Sequence, residues 1–200
     1  FSQASWASFV LTDTLCEGTS VNVMANTGTI SVVGYTWSST PLGPVIAAPN
    51  SSLSSISFPS SGTFTIDLLA DDGSSTSSYS NVINILSNPV VGLLGPSGPI
   101  CPPPTNIGGL YMMGYGANSY TWMPGPYYGS TVSIFPQPSS NISYTLTGED
   151  AYGCSDTEEV YIQVYPIPSV FASAPSVVCS GISNCFTAGG SLAIYVWSGP

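Results

Sequence analysis

Polar and apolar residues alternate with a period of two in several short stretches of this chain. Thr63-Phe64-Thr65-Ile66-Asp67-Leu68 and Ser143-Tyr144-Thr145-Leu146-Thr147 both follow this rule, as do Val82-Ile83-Asn84-Ile85 and Val160-Tyr161-Ile162-Gln163-Val164. Successive side chains of a strand point to opposite faces, so this period predicts strands with one buried face. Clusters of turn formers separate them: Pro41-Leu42-Gly43-Pro44, Asp71-Asp72-Gly73, Met123-Pro124-Gly125-Pro126 and Pro136-Gln137-Pro138. No stretch of about ten residues carries a helical period. The expected fold is all-β, built of short antiparallel strands packed as a sandwich.

The pattern recurs along the chain. Tyr35-Thr36-Trp37, Tyr120-Thr121-Trp122 and Tyr195-Val196-Trp197 each follow a cysteine (Cys16, Cys101 and Cys179) by about twenty residues. Gly62 to Leu68 aligns with Ile142 to Thr147, which sets Gly73 on Gly153 and Ser74 on Cys154. Three anchors in one order, at a period of about 80 residues, predict tandem sandwiches. Their expected spans are 10–88, 89–167 and 168–200, the last incomplete, with 1–9 a linker or the end of a preceding repeat. A mid-chain Trp packs between the sheets of immunoglobulin domains. Trp37 and Trp122 are therefore expected in cores, and Trp197 less so because its unit is incomplete. Tyr127 and Tyr128 sit in a Pro/Gly-rich loop and are expected at the surface. Asn88-Pro89 and Pro166-Ile167-Pro168 fall at the junctions, where proline stiffens the connection and favours an extended row.

Charge removes several partners. The chain holds no Lys, Arg or His, and its ten carboxylates give a net charge of −10. Nucleic acids and anionic membrane surfaces are bound through Lys and Arg, so neither is an expected partner. The apolar runs are short and broken by Gly or Pro, far below the roughly 18 residues of a membrane span, so no membrane insertion is expected. Without His or Lys, Ser-His, Cys-His and Schiff-base chemistry are excluded. A carboxylate pair is the remaining catalytic option. The adjacent acids Asp71-Asp72 and Glu149-Asp150 lie in predicted turns, so no catalytic residue and no enzymatic activity are expected. The one metal reading is calcium, with Glu149, Asp150 and Asp156 flanking a single loop, against the plainer reading of a solvated turn. No other cofactor is expected.

Gly116-Ala117-Asn118-Ser119-Tyr120-Thr121-Trp122, Ser143-Tyr144-Thr145-Leu146-Thr147-Gly148 and Asp150-Ala151-Tyr152-Gly153-Cys154-Ser155-Asp156-Thr157 together resemble a PKD-like/immunoglobulin-like repeat. The junction Pro166 to Val170 and the run Ala174 to Gly181 fit the same pattern. Such repeats are abundant in very large surface adhesins and secreted proteins of Bacteroidota exported by the type IX pathway. The resemblance covers most of 95–200 and, more loosely, 10–88. It implies a structural or adhesive segment, the stalk or filament of an extracellular, cell-surface protein. Its partners would be neighbouring repeats, other copies in a fibre and surface glycans. Accessory spacer modules of a secreted hydrolase, or a carbohydrate-binding module, are the alternatives.

Five cysteines are an odd number. In an exported protein they read as disulfides. The resemblance implies a bond between Cys101 and Cys154, the cysteines the family commonly pairs within one unit, and a partner for Cys179 beyond residue 200. For Cys16 and Cys185, an erroneous residue and an unusual link across units both stay open. Asp13-Thr14-Leu15 resembles the short O-glycosylation sequon of Bacteroidota secreted proteins, which would place a glycan on Thr14.

Overall fold

The computed structural model describes residues 5–101 and 109–166, and between 168 and 198 all but 178, 182, 184, 192 and 193. Ile167, in the second Pro-containing junction, lies outside the described residues. Among the described residues every regular element is a strand.

The first seven strands are β1 (Thr14–Cys16), β2 (Ser20–Met24), β3 (Gly34–Thr40), β4 (Val45–Ile46), β5 (Leu53–Ser57), β6 (Gly62–Asp71) and β7 (Thr76–Leu86). They form two sheets, ordered β1-β7-β6-β3 and β2-β5-β4. This is the strand order of an immunoglobulin-like sandwich, with β2, β5, β4 on one face and β3, β6, β7 on the other. Only β1 runs parallel to its neighbour, pairing Cys16 with Leu86 at the end of β7. The period of two in β6 has the predicted consequence: Phe64, Ile66, Leu68 and Ala70 are buried. They pack against Trp37, Ile83 and Ile85 and, from the facing sheet, Val23 and Ile56. Each large apolar side chain so buried contributes about 1.5–3 kcal/mol.

The segment before residue 10, expected as a linker or the end of a preceding repeat, belongs to this core. Ala7 and Phe9 are buried within it. The Phe9 ring meets Trp37 edge-on at 5.0 Å and Tyr79 at 5.3 Å. The amides of Trp6 and Ala7 donate to Ser77 Oγ at 3.1 and 3.2 Å, which satisfies a buried serine inside a strand.

A second set of strands follows: β8 (Gly92–Leu94), β9 (Leu110–Tyr115), β10 (Ser119–Met123), β11 (Tyr127–Tyr128), β12 (Thr131–Ile134), β13 (Ile142–Glu149) and β14 (Ser155–Ile162). The sheets are β11-β10-β13-β14 and β12-β9-β8. Between them lies a separate core that includes Leu110, Met112, Trp122, Tyr144, Leu146 and Ile162. After β8 the chain crosses to the other sheet, where Ile100 bridges Val164 in parallel. That bridge occupies the place that β1 takes beside β7 in the first sandwich. Further along, β15 (Val170–Ser173) and β16 (Thr187–Gly190) pair antiparallel, as β8 and β9 do.

One glycine shapes the start of the second sandwich. Gly116 has φ +94°, and a Cβ there would lie 2.0 Å from the carbonyl oxygen of Val90. Gly116→Ala is therefore expected to lower the stability of this sandwich by at least about 1–3 kcal/mol, the cost of the backbone strain alone. Chemical denaturation of the variant checks this; an unchanged midpoint would contradict it.

Candidate functional site: the junction of the two sandwiches

Cys16 ends β1 and lies opposite Leu86, the last residue of the strand from which the chain leaves the first sandwich. It therefore stands at the end facing the second sandwich. Cys154 sits in the hairpin turn between β13 and β14. That turn belongs to the end where the chain arrives, because Gly148 near the close of β13 packs beneath the Val91 side chain. The two cysteines form a disulfide across the junction, with Cα atoms 5.5 Å apart and a sequence separation of 138. Cys154 is buried.

Glu17 reinforces the same place. Its carboxylate accepts the amide of Ser61 at 3.1 Å and that of Asn88 at 3.2 Å. Asn88 is the residue before Pro89, so the connecting peptide is held against the first sandwich as it leaves β7.

The turn carrying Cys154 is set by Asp150. One carboxylate oxygen accepts the amides of Tyr152 at 2.8 Å and Cys154 at 2.9 Å. Gly153 adopts φ +86° to close the turn. The β6–β7 turn uses the same chemistry without a cysteine. There Asp72 Oδ1 accepts the amides of Ser74 at 2.8 Å and Ser75 at 2.7 Å, and both serine hydroxyls donate to the same carboxylate.

Those bonds, the Ser74 amide foremost, hold the Asp72 carboxyl at about 2 in place of 3.8. A folded value below the unfolded one means that the turn gains stability above the unfolded value and loses it as pH falls through about 2. The Ser74 and Ser75 amide resonances are expected to titrate with a midpoint near pH 2. A midpoint near 4 would show that the carboxylate is free.

The disulfide expected between Cys101 and Cys154 is not formed; Cys154 bonds Cys16. The reason is the direction of β14. Cys101 follows Ile100, which pairs with Val164 past the far end of that strand, whereas Cys154 precedes its start. At about 3.3 Å per residue, the two ends are about 30 Å apart, against a limit of about 7 Å between bridged Cα atoms. Cys101, Cys179 and Cys185 are free and exposed.

The calcium candidates do not converge. Glu149 pairs with Ser155 and Gly148 with Asp156, so the Glu149 and Asp156 side chains leave opposite faces of the sheet. Asp150 is engaged by the turn amides. Among the described residues no cluster of three acidic, Cys or His side chains could hold a metal ion. Thr14 opens β1 and is exposed.

Trp37 and Trp122 lie between the sheets as expected, at 3% and 0% exposure, while Trp197 is 56% exposed. Each buried indole donates to a backbone carbonyl, Trp37 to Ser51 at 2.8 Å and Trp122 to Gly129 at 2.9 Å. They are core residues with satisfied nitrogens. Tyr127 is half-buried against the second core and Tyr128 is exposed. An open groove beside β2 is lined by residues that include Ser8, Val10, Asn22, Met24 and Asn26, with no titratable side chain among them.

No family model matches the chain, and no curated protein matches it. Solved structures similar to it include the PKD domain of the KIAA 1837 protein, at 18% identity and TM-score 0.38, covering 44% of this chain and 91% of that one. The fibronectin(III)-like modules of Clostridium thermocellum CbhA share 12% identity at TM-score 0.37, covering 80% and 94%. Extracellular domains 3–5 of Drosophila OTK share 19% identity at TM-score 0.37, covering 80% of this chain and 61% of that one.

Sequence reasoning missed the Cys16–Cys154 pair and Glu17. A signal for the pair was present. Cys16 and Cys101 precede their Trp residues by the same spacing, yet the first repeat has Ser74 where the second has Cys154. A bond within each repeat would leave Cys16 alone, whereas a bond to the next repeat uses both residues. Glu17 had no such signal, since its partners are backbone amides distant in sequence.

Proposed function

We propose that this chain is a structural, adhesive repeat segment of a large secreted cell-surface protein, the stalk or filament of an adhesin of the type IX-exported Bacteroidota kind. The observation that carries the reading is the Cys16–Cys154 bond, which ties the end of one sandwich to the beginning of the next. A covalent brace of this kind holds consecutive modules in a row and needs an oxidising compartment such as the cell exterior. The repeats span 10–88, 89–167 and 168–200 in this reading, with residues 5–9 added to the first as its opening segment. Its partners are neighbouring repeats of the same chain, further copies in a fibre, and surface glycans. An exposed Thr14 suits a glycan at the start of β1. The segment carries no active site: its buried aromatics have core roles, and its turn carboxylates are occupied by backbone amides.

Immunogold labelling of intact source cells tests this, using antibody raised against residues 5–166. Gold is expected along surface fibres. Label confined to the soluble fraction, co-purifying with glycan-hydrolysing activity, would overturn the reading in favour of a spacer in a secreted hydrolase.

A further inference from the structure

The second sandwich is lopsided in charge. Its acids, Glu149, Asp150, Asp156, Glu158 and Glu159, all belong to β13, β14 or the turn between them. The strands of the facing sheet, β12-β9-β8, carry none. In β9, Leu110 and Met112 turn into the core, so Tyr111, Met113 and Tyr115 face outward. Ser133 stands opposite Tyr111, Thr131 and Leu94 flank Met113, and Gly92 lies opposite Tyr115.

Tyr111 is 61% exposed and Tyr115 52%. The bare Gly92 decides where the Tyr115 ring goes. A Cβ at Gly92 would lie 2.2 Å from its Cζ, 2.4 Å from Cε2 and 2.5 Å from Oη. The ring therefore lies across β8, over the glycine, and keeps its outer side open to solvent. Any side chain at position 92 would displace it.

An aromatic face carries partial negative charge and attracts C–H groups, whose hydrogens are partly positive. A pyranose ring with equatorial hydroxyls presents such C–H groups on its flat sides and hydroxyls around its rim. Tyr111 and Tyr115 offer the stacking surfaces, and the hydroxyls of Thr131 and Ser133 can donate and accept at the rim. A chain of net charge −10 without a cation repels an acidic polysaccharide. Size argues against a protein as the occupant. Three strands span about 10 Å and Tyr111 to Tyr115 about 13 Å, a footprint far below the roughly 800 Å² per partner of a stable protein interface.

We infer that the outer face of β12-β9-β8 binds a neutral polysaccharide of equatorially hydroxylated rings, a β-linked glucan, whose chain lies along β9 and stacks on Tyr111 and Tyr115. Their separation of about 13 Å exceeds one sugar ring, so the two tyrosines meet different units of the glucan. The inference rests on the functional reading in taking glycans as partners, and adds the residues that meet them.

Native electrophoresis of the full chain through gels containing hydroxyethylcellulose or mixed-linkage β-glucan tests this, the negative charge driving migration. Retardation is expected. Tyr111→Ala and Tyr115→Ala are each expected to weaken binding about tenfold, and Tyr115→Phe to retain it. Tyr161→Ala, which removes an equally exposed tyrosine from the opposite sheet, is expected to change nothing. Migration unaffected by both glucans would overturn the inference. So would retardation that survives Tyr111→Ala and Tyr115→Ala together, or that Tyr161→Ala weakens as much. Tyr115→Phe binding as poorly as Tyr115→Ala would show that the ring is not a stacking surface. If the tyrosine variants instead abolish self-association of the chain in sedimentation, while the glucans leave migration unchanged, the face joins copies of the chain and the inference falls. Surface labelling is read separately, so labelled fibres whose chain ignores both glucans would remove this site and leave the stalk reading in place.

Discussion

Pulled between residues 5 and 166, the oxidised protein is expected to lengthen by about 500 Å less than the same protein after reduction. The Cys16–Cys154 bond closes 138 residues into a covalent loop. Tension entering at the first residues reaches Cys16, crosses the disulfide and continues from Cys154. Strands β2 to β13 lie off this path, so they cannot be drawn out while the bond holds. At about 3.6 Å per extended residue, the shielded length is about 500 Å. Single-molecule stretching with and without reductant measures it, and Cys16→Ser is expected to behave as the reduced protein does. Equal extension in both states would mean that the bond does not bridge the junction. The same bond limits the unfolded second sandwich, whose chain would remain tethered to Leu86 through Cys16. By the loop-entropy model, removing it costs that sandwich about 4 kcal/mol.

Trp122→Ala is expected to destabilise the second sandwich by about 3–5 kcal/mol, a large part of the roughly 5–15 kcal/mol available to a domain. The side chain is fully buried, and its loss opens a cavity among Leu146, Met112 and their neighbours. It also leaves the Gly129 carbonyl without its indole donor. The first core contains none of these residues. Amide exchange should therefore quicken across β9 to β14 while β2 to β7 keep their protection. Loss of protection in both sandwiches together would show that the two cores fold as one unit.

The strands legible in the sequence were those whose alternation is clean. In β6 and β13, Thr and Asp or Ser face solvent while Phe, Ile, Leu and Tyr face inward. The facing sheet was hidden by inversion of that rule. In β5, Leu53 is exposed and Ser54 is buried, its hydroxyl taking the Ala48 amide at 3.1 Å. A hydropathy pattern cannot signal a buried serine satisfied by one local hydrogen bond. Residues 7–11 were obscured differently: Ala7, Phe9 and Leu11 alternate inward, but the outward Val10 is equally apolar. At the junction, the repeat spacing gave the cysteines' kinship. It did not give the ends of the sandwich on which they lie, which follow from strand direction.

Two modules joined by one peptide connection can swivel about it. Here the chain passes from first to second through Asn88 and Pro89, and a second attachment runs through Cys16 and Cys154. Two separated points of attachment remove rotation about the common axis. The outward face of β9, where Tyr111 and Tyr115 are exposed, is therefore held at one azimuth relative to the preceding module. A row built by the same rule would turn by a constant angle at each step and present those tyrosines along a regular helical track.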